Sequence, residues 1–379
     1  MRRYLTLDDV EADGLTVLVR SDLNVPIDKG QVSDDFRLRA ALPTLETLVE
    51  RGAKVRVCSH LGRPKGVDPT FTLRPVAERL DELTRFEVGF EMGGEITVLE
   101  NTRFLAGETT NDPATALRLS SGVELFVQDA FGSVHRTHAS TVGVAERVRS
   151  AAGLLLHAEL QALGRFLDES DRPYTVVLGG AKVSDKLGVI ENLLPRVDRM
   201  LIGGAMCFTF LTAAGKHVGA SLLEEGMIEE ARRLLGSPHG EKILLPTDLV
   251  VATRFAKDAV ATVVSVEEVP PDGIGLDIGP ATATEFAGIV KDSASVFWNG
   301  PMGVFEWDRF RSGTEEVAKA LAACGGFTAV GGGDSVAALR LLGLDGEVSH
   351  LSTGGGAGLV LLEGRELPGV AVLERWVHD

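Results

Sequence analysis

Four glycine-bearing segments in the second half of the chain have the composition of phosphate-binding turns. They comprise residues 179–182, 203–206, 331–335 and 354–356, and each follows an apolar stretch and precedes a predicted helix. Glycine lets the backbone approach a ligand closely, and the first turn of a helix presents unpaired N–H groups with a partial positive charge. Such turns suit phosphate oxygens, so four of them predict a nucleotide site assembled from several loops.

Charged and polar residues beside these turns add to the same chemistry. Lys182 and Lys186 follow the first turn, and we expect them on one helical face, where they would repel each other unless an anion lay between them. Asp334 could hold Mg²⁺ through nucleotide phosphates, since this ion usually takes one or two protein carboxylates. Ser335 could cap the following helix or donate to a phosphate. Glu306 could meet a ribose hydroxyl.

A group of polar residues in the first half predicts an anion-binding site. Its members are Asp22, Asn24, Arg37, His60, Arg63, Arg103, His135, Arg136 and His138. Guanidinium is permanently charged and binds phosphate oxygens in bidentate fashion, so we expect the arginines, together with the histidines, to trap an anion. Asp22 and Asn24 are acceptors suited to a substrate hydroxyl. Taken singly, Arg37 and Arg103 could form surface ion pairs and the histidines could be structural, but their shared position after strands favours a site.

The elements that must position these residues form two series of short buried strands and amphipathic helices, which indicates parallel sheets covered on both faces. The predicted strands are 17–19, 55–57, 96–99, 125–127, 175–178, 199–202, 243–245, 295–297 and 327–330, and the predicted helices include 38–50 and 73–83. In such sheets ligands bind beyond the carboxyl ends of the strands. We therefore expect an α/β protein with two doubly wound, Rossmann-like domains that face a central cleft and are joined by a connector helix within residues 154–167.

Composition limits the classes of partner. The 379 residues carry a formal net charge of −16, which makes nucleic acid and anionic membranes poor partners. Cys58, Cys207 and Cys324 sit far apart in apolar stretches and predict buried free thiols in a reducing compartment. We expect no signal peptide and no membrane span, because residues 200–215, the longest uncharged run, are too few and too glycine-rich. A Walker-type loop and an early Gly-x-Gly-x-x-Gly signature are both absent from the sequence.

Ordered motifs run through both halves of the chain. They are residues 20–26 (RSDLNVP), 59–64 (SHLGRP), 100–104 (ENTRF), 129–136 (DAFGSVHR), 178–186 (LGGAKVSDK), 298–306 (WNGPMGVFE), 331–335 (GGGDS) and 352–357 (STGGGA). Over essentially its whole length the chain thereby resembles phosphoglycerate kinase. The resemblance implies direct, reversible transfer of a phosphoryl group from 1,3-bisphosphoglycerate to Mg-ADP, giving 3-phosphoglycerate and Mg-ATP, with closure about a hinge.

The resemblance also implies roles for individual residues. It assigns 3-phosphoglycerate to an N-terminal domain (1–158, with the tail 365–379 packing back on it) through Asp22, Asn24, Arg37, His60, Arg63, Arg103 and Arg136. After a connector at 159–173, it assigns ADP or ATP to a C-terminal domain (174–364) through Gly179, Gly180, Lys182, Lys186, Gly203, Gly204, Asn299, Pro301, Glu306, Gly333, Asp334 and Ser335, with Mg²⁺ on Asp334. Arg37, Lys182 and Gly355 would act in catalysis. A cytoplasmic, monomeric enzyme of glycolysis follows from the same likeness.

Three positions and one segment depart from the family pattern. Ser21 stands where valine is usual, Ser133 where threonine is usual, and Ala205 where a third glycine is usual, while the segment 85–97 is shorter. None of these changes removes a charge from the predicted site. Two other classes stay open: a catalytically silent relative that only binds ligands, and a different two-domain phosphotransferase that forms acyl phosphates.

Overall fold

Runs of β-branched and leucine residues form the strands of this computed structural model, because such side chains fill both buried faces of a parallel sheet. The structure describes residues 4–168 and 170–377. Its strands are β1 (Thr16–Arg20), β2 (Ile27–Asp28), β3 (Gln31–Val32), β4 (Lys54–Cys58), β5 (Val88–Phe90), β6 (Ile96–Val98), β7 (Leu125–Gln128), β8 (Ser150–Ala152), β9 (Tyr174–Leu178), β10 (Arg199–Ile202), β11 (Ile243–Leu244), β12 (Asp248–Ala252), β13 (Thr262–Ser265), β14 (Ile274–Ile278), β15 (Ser295–Asn299), β16 (Phe327–Gly331) and β17 (His350–Leu351).

The helices carry apolar residues at helical spacing and bury that side. In the helix Arg74–Leu83, for example, Val76, Ala77 and Leu80 are buried, while the other residues are exposed or partly exposed. The α-helices are α1 (Phe36–Glu50), α2 (Arg74–Leu83), α3 (Pro113–Ser120), α4 (Leu154–Gly164), α5 (Leu187–Leu193), α6 (Met206–Ala213), α7 (Ile228–Leu235), α8 (Pro280–Lys291), α9 (Ser312–Ala322), α10 (Gly333–Leu341), α11 (Gly355–Leu362) and α12 (Pro368–Ala371). Within the predicted connector segment, α4 ends at Gly164 rather than at residue 167, consistent with the poor helix propensity of glycine.

Each half of the chain builds one six-stranded parallel sheet, in the orders β5–β6–β4–β1–β7–β8 and β11–β10–β9–β15–β16–β17. The prediction of two parallel-sheet α/β domains is confirmed. In chain order, the strands of each sheet are added first on one side of a central strand, β1 or β9, and then on the other side. The direction of growth reverses between β1 and β7 in the first sheet and between β9 and β15 in the second. Such a reversal separates the loops at the carboxyl ends of the two strands and leaves a crevice for a ligand.

A three-stranded antiparallel sheet, in the order β13–β12–β14, was not predicted from the sequence. Its strand β13 is partly solvent-exposed along its length, so it lacks the buried apolar run that marks a parallel strand. The shortened segment 85–97 contains β5, which pairs with β6 in parallel, and the loop between them has positive φ at Glu91, Gly93 and Gly94. A tight loop, without a helix, therefore connects these two parallel strands at the edge of the sheet.

The chain divides into two compact units, Met1–Gln161 with Arg365–Asp379, and Ala162–Gly364. The C-terminal stretch is anchored in the first unit: the N–H of Gly369 donates to the carbonyl of Val134 at 2.8 Å, and the indole of Trp376 donates to that of Ala145 at 2.8 Å. The boundary between the units falls within α4.

The cysteines and the helices bear on two further expectations. Cys58 and Cys207 are buried free thiols, whereas Cys324, predicted to be buried, is only partly so. Among residues 4–168 and 170–377, the helices are too short or too polar to cross a membrane.

Candidate active site

The first cluster of predicted site residues lies on loops that leave the carboxyl ends of β1, β4 and β7. Asp22 and Asn24 follow β1, His60 follows β4, and His135 and Arg136 follow β7. Because β4 and β7 both pair in parallel with β1, the three loops meet at one edge of the sheet. The order of the strands reverses between β1 and β7, and the crevice at that point lies beside these loops, so the fold itself brings the predicted residues together.

Asn24 and Arg37 fix the loop after β1. Oδ1 of Asn24 accepts the backbone N–H of Gly62 at 2.8 Å, which ties this loop to the one after β4. That bond leaves the Asn24 amide group to act as a donor, whereas the sequence suggested an acceptor. Nη1 of Arg37, in the first turn of α1, donates to the carbonyl of Asn24 at 2.7 Å. The Arg37 side chain stays 31% exposed and can therefore reach a ligand.

Asp22 is buried but favours its ionised form. Burial alone would raise its pKa, but the neighbouring charges of Arg37 and Arg20, together with the backbone N–H of Asn24, outweigh burial and hold the pKa of Asp22 below its ordinary value. An ionised carboxylate is a strong acceptor. Asp22 is therefore suited to accept a hydrogen bond from a hydroxyl group.

Arg63, Arg103 and Arg136 form a cationic cluster together with Arg20. Burial first, and then the positive charges of Arg136, Arg20 and Arg63, lower the pKa of Arg103. Nη1 of Arg103 donates to the carbonyl of Gly62, but its buried Nε has no hydrogen-bond partner within the described part of the chain. Like charges at such proximity repel, and an anion that accepted from them would relieve both this repulsion and the unpaired donor. Arg20 was not predicted as a site residue, although a charge that ends a buried strand could have indicated it.

The surroundings of the three histidines in this cluster favour their neutral forms. Burial, with a smaller contribution from nearby arginines, lowers the pKa of His60 to about 3 and that of His138 to about 4. Burial and Arg136 also lower the pKa of His135. The sequence suggested that histidines share in an anion trap; in the structure the arginines supply the positive charge of the trap.

In the second unit, glycines let the loops after β9, β10 and β15 touch one another. The N–H of Gly180 donates to the carbonyl of Pro301 at 2.9 Å, and that of Gly204 to the carbonyl of Met302 at 3.0 Å. A Cβ on Gly179 would lie 2.1 Å from the oxygen of Pro301, and one on Gly204, whose φ is +60°, would lie 2.4 Å from the nitrogen of Gly180. A larger residue at either position would push these loops apart.

A pocket of about 300 Å³ opens beside these loops. Gly180, Gly204, Pro301, Glu306 and Asp334 line it, as do the apolar side chains of residues 208, 222 and 255. A mostly apolar pocket with a few polar groups is suited to a nucleobase and its sugar. Strand β14 also lines the pocket. Sequence reasoning missed this strand, although apolar residues at 274, 276 and 278 alternate as in a strand. Of the predicted glycines, Gly179 and Gly203 pack behind the pocket, against Pro301 and Met302.

Lys182 and Lys186 lie in different surroundings. Neither is in a helix, because α5 begins after both of them, and the prediction of a shared helical face is therefore wrong. Lys182 is exposed. Lys186 is buried, and its Nζ donates to the backbone carbonyl and to the side-chain oxygen of Asn299. Burial lowers the pKa of Lys186 to about 8, although Asp185 and Asp334 act in the opposite direction.

The helix that follows β16 is not capped by serine. It begins at Gly333, with Gly332 as its N-cap residue, so the predicted capping role of Ser335 is wrong. Instead, the buried Oγ of Ser335 accepts the N–H of Gly300 at 2.6 Å and thereby holds the loop after β15. Asp334 is exposed in the first turn of this helix.

Two helix starts lie side by side at the carboxyl ends of β16 and β17. The second of these helices, α11, begins at Gly355, and a Cβ on Gly355 would lie 2.9 Å from Cα of Gly332. The first N–H groups of a helix have no intrahelical partner and are suited to an anion. The first of the four glycine segments differs from the rest, since a loop separates Gly180 from α5 instead of a direct helix start.

The carboxylate of Asp334 fits a magnesium ion that arrives with a nucleotide. In residues 4–168 and 170–377, no group of three or more His, Cys, Asp or Glu side chains is arranged to hold a metal. Mg²⁺ is commonly bound by one or two carboxylates together with substrate phosphates. A single exposed carboxylate beside the pocket meets that requirement.

The chain is similar to known proteins over nearly its whole length. A family model described as phosphoglycerate kinase matches residues 7–365. The phosphoglycerate kinase of Rubrobacter xylanophilus is 54% identical over 380 residues, covering 96% of this chain and 97% of that protein. The one from Salinispora tropica is 53% identical over 395 residues, covering 97% and 99%. Among solved structures, phosphoglycerate kinase from Coxiella burnetii has a TM-score of 0.90 at 37% identity over 98% of this chain and 99% of that one. That from Pyrococcus horikoshii OT3 has a TM-score of 0.86 at 33% identity over 99% of each chain.

Proposed function

Because this chain belongs to the phosphoglycerate kinase family, we propose how its own residues carry out the reaction of that family. The enzyme is a glycolytic phosphotransferase with a carboxyl group as acceptor, and it interconverts 1,3-bisphosphoglycerate plus Mg-ADP and 3-phosphoglycerate plus Mg-ATP. In the direction of ATP synthesis, the bond between the acyl oxygen and phosphorus breaks while an oxygen of the ADP β-phosphate bonds to phosphorus. No covalent enzyme intermediate is required, so the protein supplies alignment and positive charge.

The first unit binds the phosphoglycerate. The observation that carries this assignment is the arginine cluster, which holds like charges together and leaves Nε of Arg103 unpaired. Arg63, Arg103 and Arg136 bind the 3-phosphate, with His60 as a neutral donor. Asp22 accepts from the substrate hydroxyl, and the amide of Asn24 donates to the carboxyl end.

The second unit binds the nucleotide. The adenine occupies the pocket of about 300 Å³, where the backbone at Gly180, Gly204 and Pro301 can approach the ring closely. Gly179 and Gly203 support these loops from behind, and Glu306 accepts from the ribose. Mg²⁺ supplies neutralising charge to the phosphates when it is bound, and Asp334 holds it. The remaining contacts to the phosphates come from Lys186, Asn299, Gly333 and Ser335.

The transferred phosphoryl group is stabilised from both units. Arg37 contributes positive charge from the first unit, while Lys182 and the N–H of Gly355 contribute from the second. Each of these groups is at least partly exposed, so a ligand can reach it. Groups that bind most strongly to charge in the transition state raise kcat rather than only lowering KM.

Since these cations belong to different units, we infer that the enzyme closes about a hinge and excludes water from the reaction. We place the hinge at the connector that includes α4. Small-angle scattering should show a smaller radius of gyration with both substrates than with neither or with either one alone. An equal radius in all four states would exclude closure. We further propose a cytoplasmic monomer, as the family likeness suggests.

A coupled assay tests the proposed function. The enzyme should consume ATP with 3-phosphoglycerate and show background rates with acetate, with glutamate and with buffer. Turnover of acetate or glutamate would favour a different acyl-phosphate-forming kinase. Nucleotide binding without turnover would identify a silent binding protein.

A further inference from the structure

A chain of buried polar groups runs from Glu108 to His60. The side chain of Glu108 is 1% exposed; its Oε1 accepts from the hydroxyl of Ser140 at 2.5 Å and its Oε2 accepts the backbone N–H of Ser140 at 3.0 Å. The same hydroxyl accepts from Nε of Arg20 at 2.8 Å. Ser140 therefore links a buried carboxyl to a buried guanidinium, and each of its polar atoms has a defined role.

The guanidinium of Arg20 in turn fixes the imidazole of His60. Arg20 is 1% exposed, and its Nη1 donates to the carbonyl of Ser21. Its Nη2 lies 3.2 Å from Nδ1 of His60. A guanidinium has donors only, so Nδ1 must be the acceptor in this pair. A neutral His60 then carries its proton on Nε2.

We propose that Glu108, Ser140 and Arg20 are positioning residues that hold His60 in the Nε2–H tautomer, as a neutral donor to the phosphoglycerate. The proposal rests on the proposed function in one respect, namely that His60 meets this substrate. The Glu108 carboxyl orients Ser140, Ser140 orients Arg20, and Arg20 selects the tautomer. The network thus provides a directed hydrogen bond beside a cluster that already carries several positive charges.

The surroundings of His60 support the neutral form. Arg20, Arg103 and Arg136 face it with positive charge, whereas Asp22 faces it with negative charge. At the other end of the network, Nδ1 of His138 lies 3.8 Å from Oε1 of Glu108. With three arginines on one side, a second proton on His60 would be repelled and would displace the donor from Arg20.

Two substitutions separate the parts of this network. Ser140→Ala removes the hydroxyl bridge and keeps both charges, while Arg20→Lys keeps the charge and removes the planar fork. Asp248→Asn is the matched control, because Asp248 accepts the N–H of Thr282 at 2.8 Å and its hydroxyl at 2.6 Å, the same pair of bonds that Glu108 makes, but in the other unit.

The test is nitrogen NMR of the full-length enzyme labelled at histidine, with His60 assigned from a His60→Gln variant. The ligand-free wild type should show a bare Nδ1 and a protonated Nε2. Ser140→Ala and Arg20→Lys should populate the other tautomer and raise KM for 3-phosphoglycerate roughly 10-fold, the scale for a misdirected hydrogen bond to a charged group, with kcat unchanged. Asp248→Asn should change neither the tautomer of His60 nor KM for 3-phosphoglycerate, even if it lowers the urea midpoint as far as the two test substitutions do.

A proton on Nδ1 in the wild type, or an unchanged tautomer in both variants, would overturn the proposal. A change of tautomer without any change in KM would support the positioning network and instead contradict the assignment of His60 to the substrate site. Since the NMR measurement needs no substrate, the two failures are distinguishable.

Discussion

Nη1 of Arg37 lies 3.6 Å from the carboxylate of Asp22 and donates to the carbonyl of Asn24 at 2.7 Å. The ion pair holds the guanidinium beside the loop after β1, while 31% of the Arg37 side chain stays exposed. Arg37 thus lies next to Asp22, as the proposed roles of the two residues at one substrate site require.

Arg37→Ala and Lys182→Ala should each lower kcat by about 10²-fold or more, the scale on which losing a charge that stabilises the transition state affects rate. Steady-state kinetics at saturating substrates measures this. Arg39→Ala is the matched control, because Arg39 lies in the same turn of α1 but pairs with Asp35 at 2.9 Å; its kcat should be unchanged. Near-normal turnover in both alanine variants would show that neither residue acts on the reacting group.

Nucleotide affinity should depend on the charge of Lys186. Its pKa is lowered to about 8, chiefly by burial, so the free protein carries this charge below that pH and loses it above. We expect Mg-ADP to bind more weakly as the pH rises through about 8, and Lys186→Arg to remove this step because arginine stays charged. Titration calorimetry at several pH values would show it. If the affinity of the wild type for Mg-ADP did not change across this pH range, the charge of Lys186 would not contribute to binding the phosphates.

Asp334→Asn should weaken the response to magnesium. Removing the carboxylate leaves the metal with phosphate and water ligands, so the Mg²⁺ concentration required for half-maximal rate should rise. Asp345→Asn serves as the control. Asp345 is exposed just after the C-terminal end of α10, the helix whose first turn contains Asp334, and lies 4.0 Å from Arg340. Equal magnesium dependence in the wild type and in Asp334→Asn would exclude Asp334 as the metal ligand.

Two buried carboxyls should make stability depend on pH. Burial raises the pKa of Asp129 to about 7 and that of Asp277 to about 8, against partial opposition from backbone N–H donors. Each group binds its proton more tightly in the folded chain than in the unfolded chain, so its contribution to the free energy of unfolding is full below about pH 4 and is lost as the pH rises to about 8.

The urea midpoint of the wild type should therefore fall between about pH 4 and about pH 8, and Asp129→Asn with Asp277→Asn should reduce that slope. Unfolding monitored by circular dichroism at a series of pH values gives both slopes. If the double variant retained the full wild-type slope, other groups would have to account for it.

Much of the fold was predictable because its strands are buried on both faces and therefore appear in the sequence as apolar runs. The strands β1 and β9 are of this kind, and the polar residues after them could be placed at one edge of each sheet. The strand β13 escaped prediction because it is partly exposed and pairs in an antiparallel sheet. Strand β14, which lines the pocket, was not predicted either.

Within the site, residue types were predictable but their surroundings were not. Spacing placed Lys186 beside the phosphates, yet its burial against Asn299 depends on a loop whose path only the fold determines. The neutral state of His60 likewise depends on its burial, and its tautomer on Arg20, which approaches it from another strand. Contacts between distant segments of the chain decide pKa values and tautomers, and a local pattern carries no record of them.

Ser21 offers a test of a departure from the family pattern. Its side chain is fully buried, and its hydroxyl has no hydrogen-bond partner in the part of the chain that the structure describes. Because burying an unpaired hydroxyl is unfavourable, Ser21→Ala should raise the free energy of unfolding by about 1 kcal/mol. Urea unfolding of the two proteins measures the difference. A loss of stability would mean that the hydroxyl has a partner, such as ordered water.

A crystal structure with 3-phosphoglycerate, Mg-ADP and a planar mimic of the transferred phosphoryl group tests most directly whether Arg37 and Lys182 act on the same group. Nitrogen atoms of both side chains should lie within hydrogen-bond distance, about 2.7–3.2 Å, of oxygens or fluorines of the mimic. If either side chain were paired elsewhere while all ligands were bound, the proposal that cations from both units stabilise one migrating phosphoryl group would be wrong.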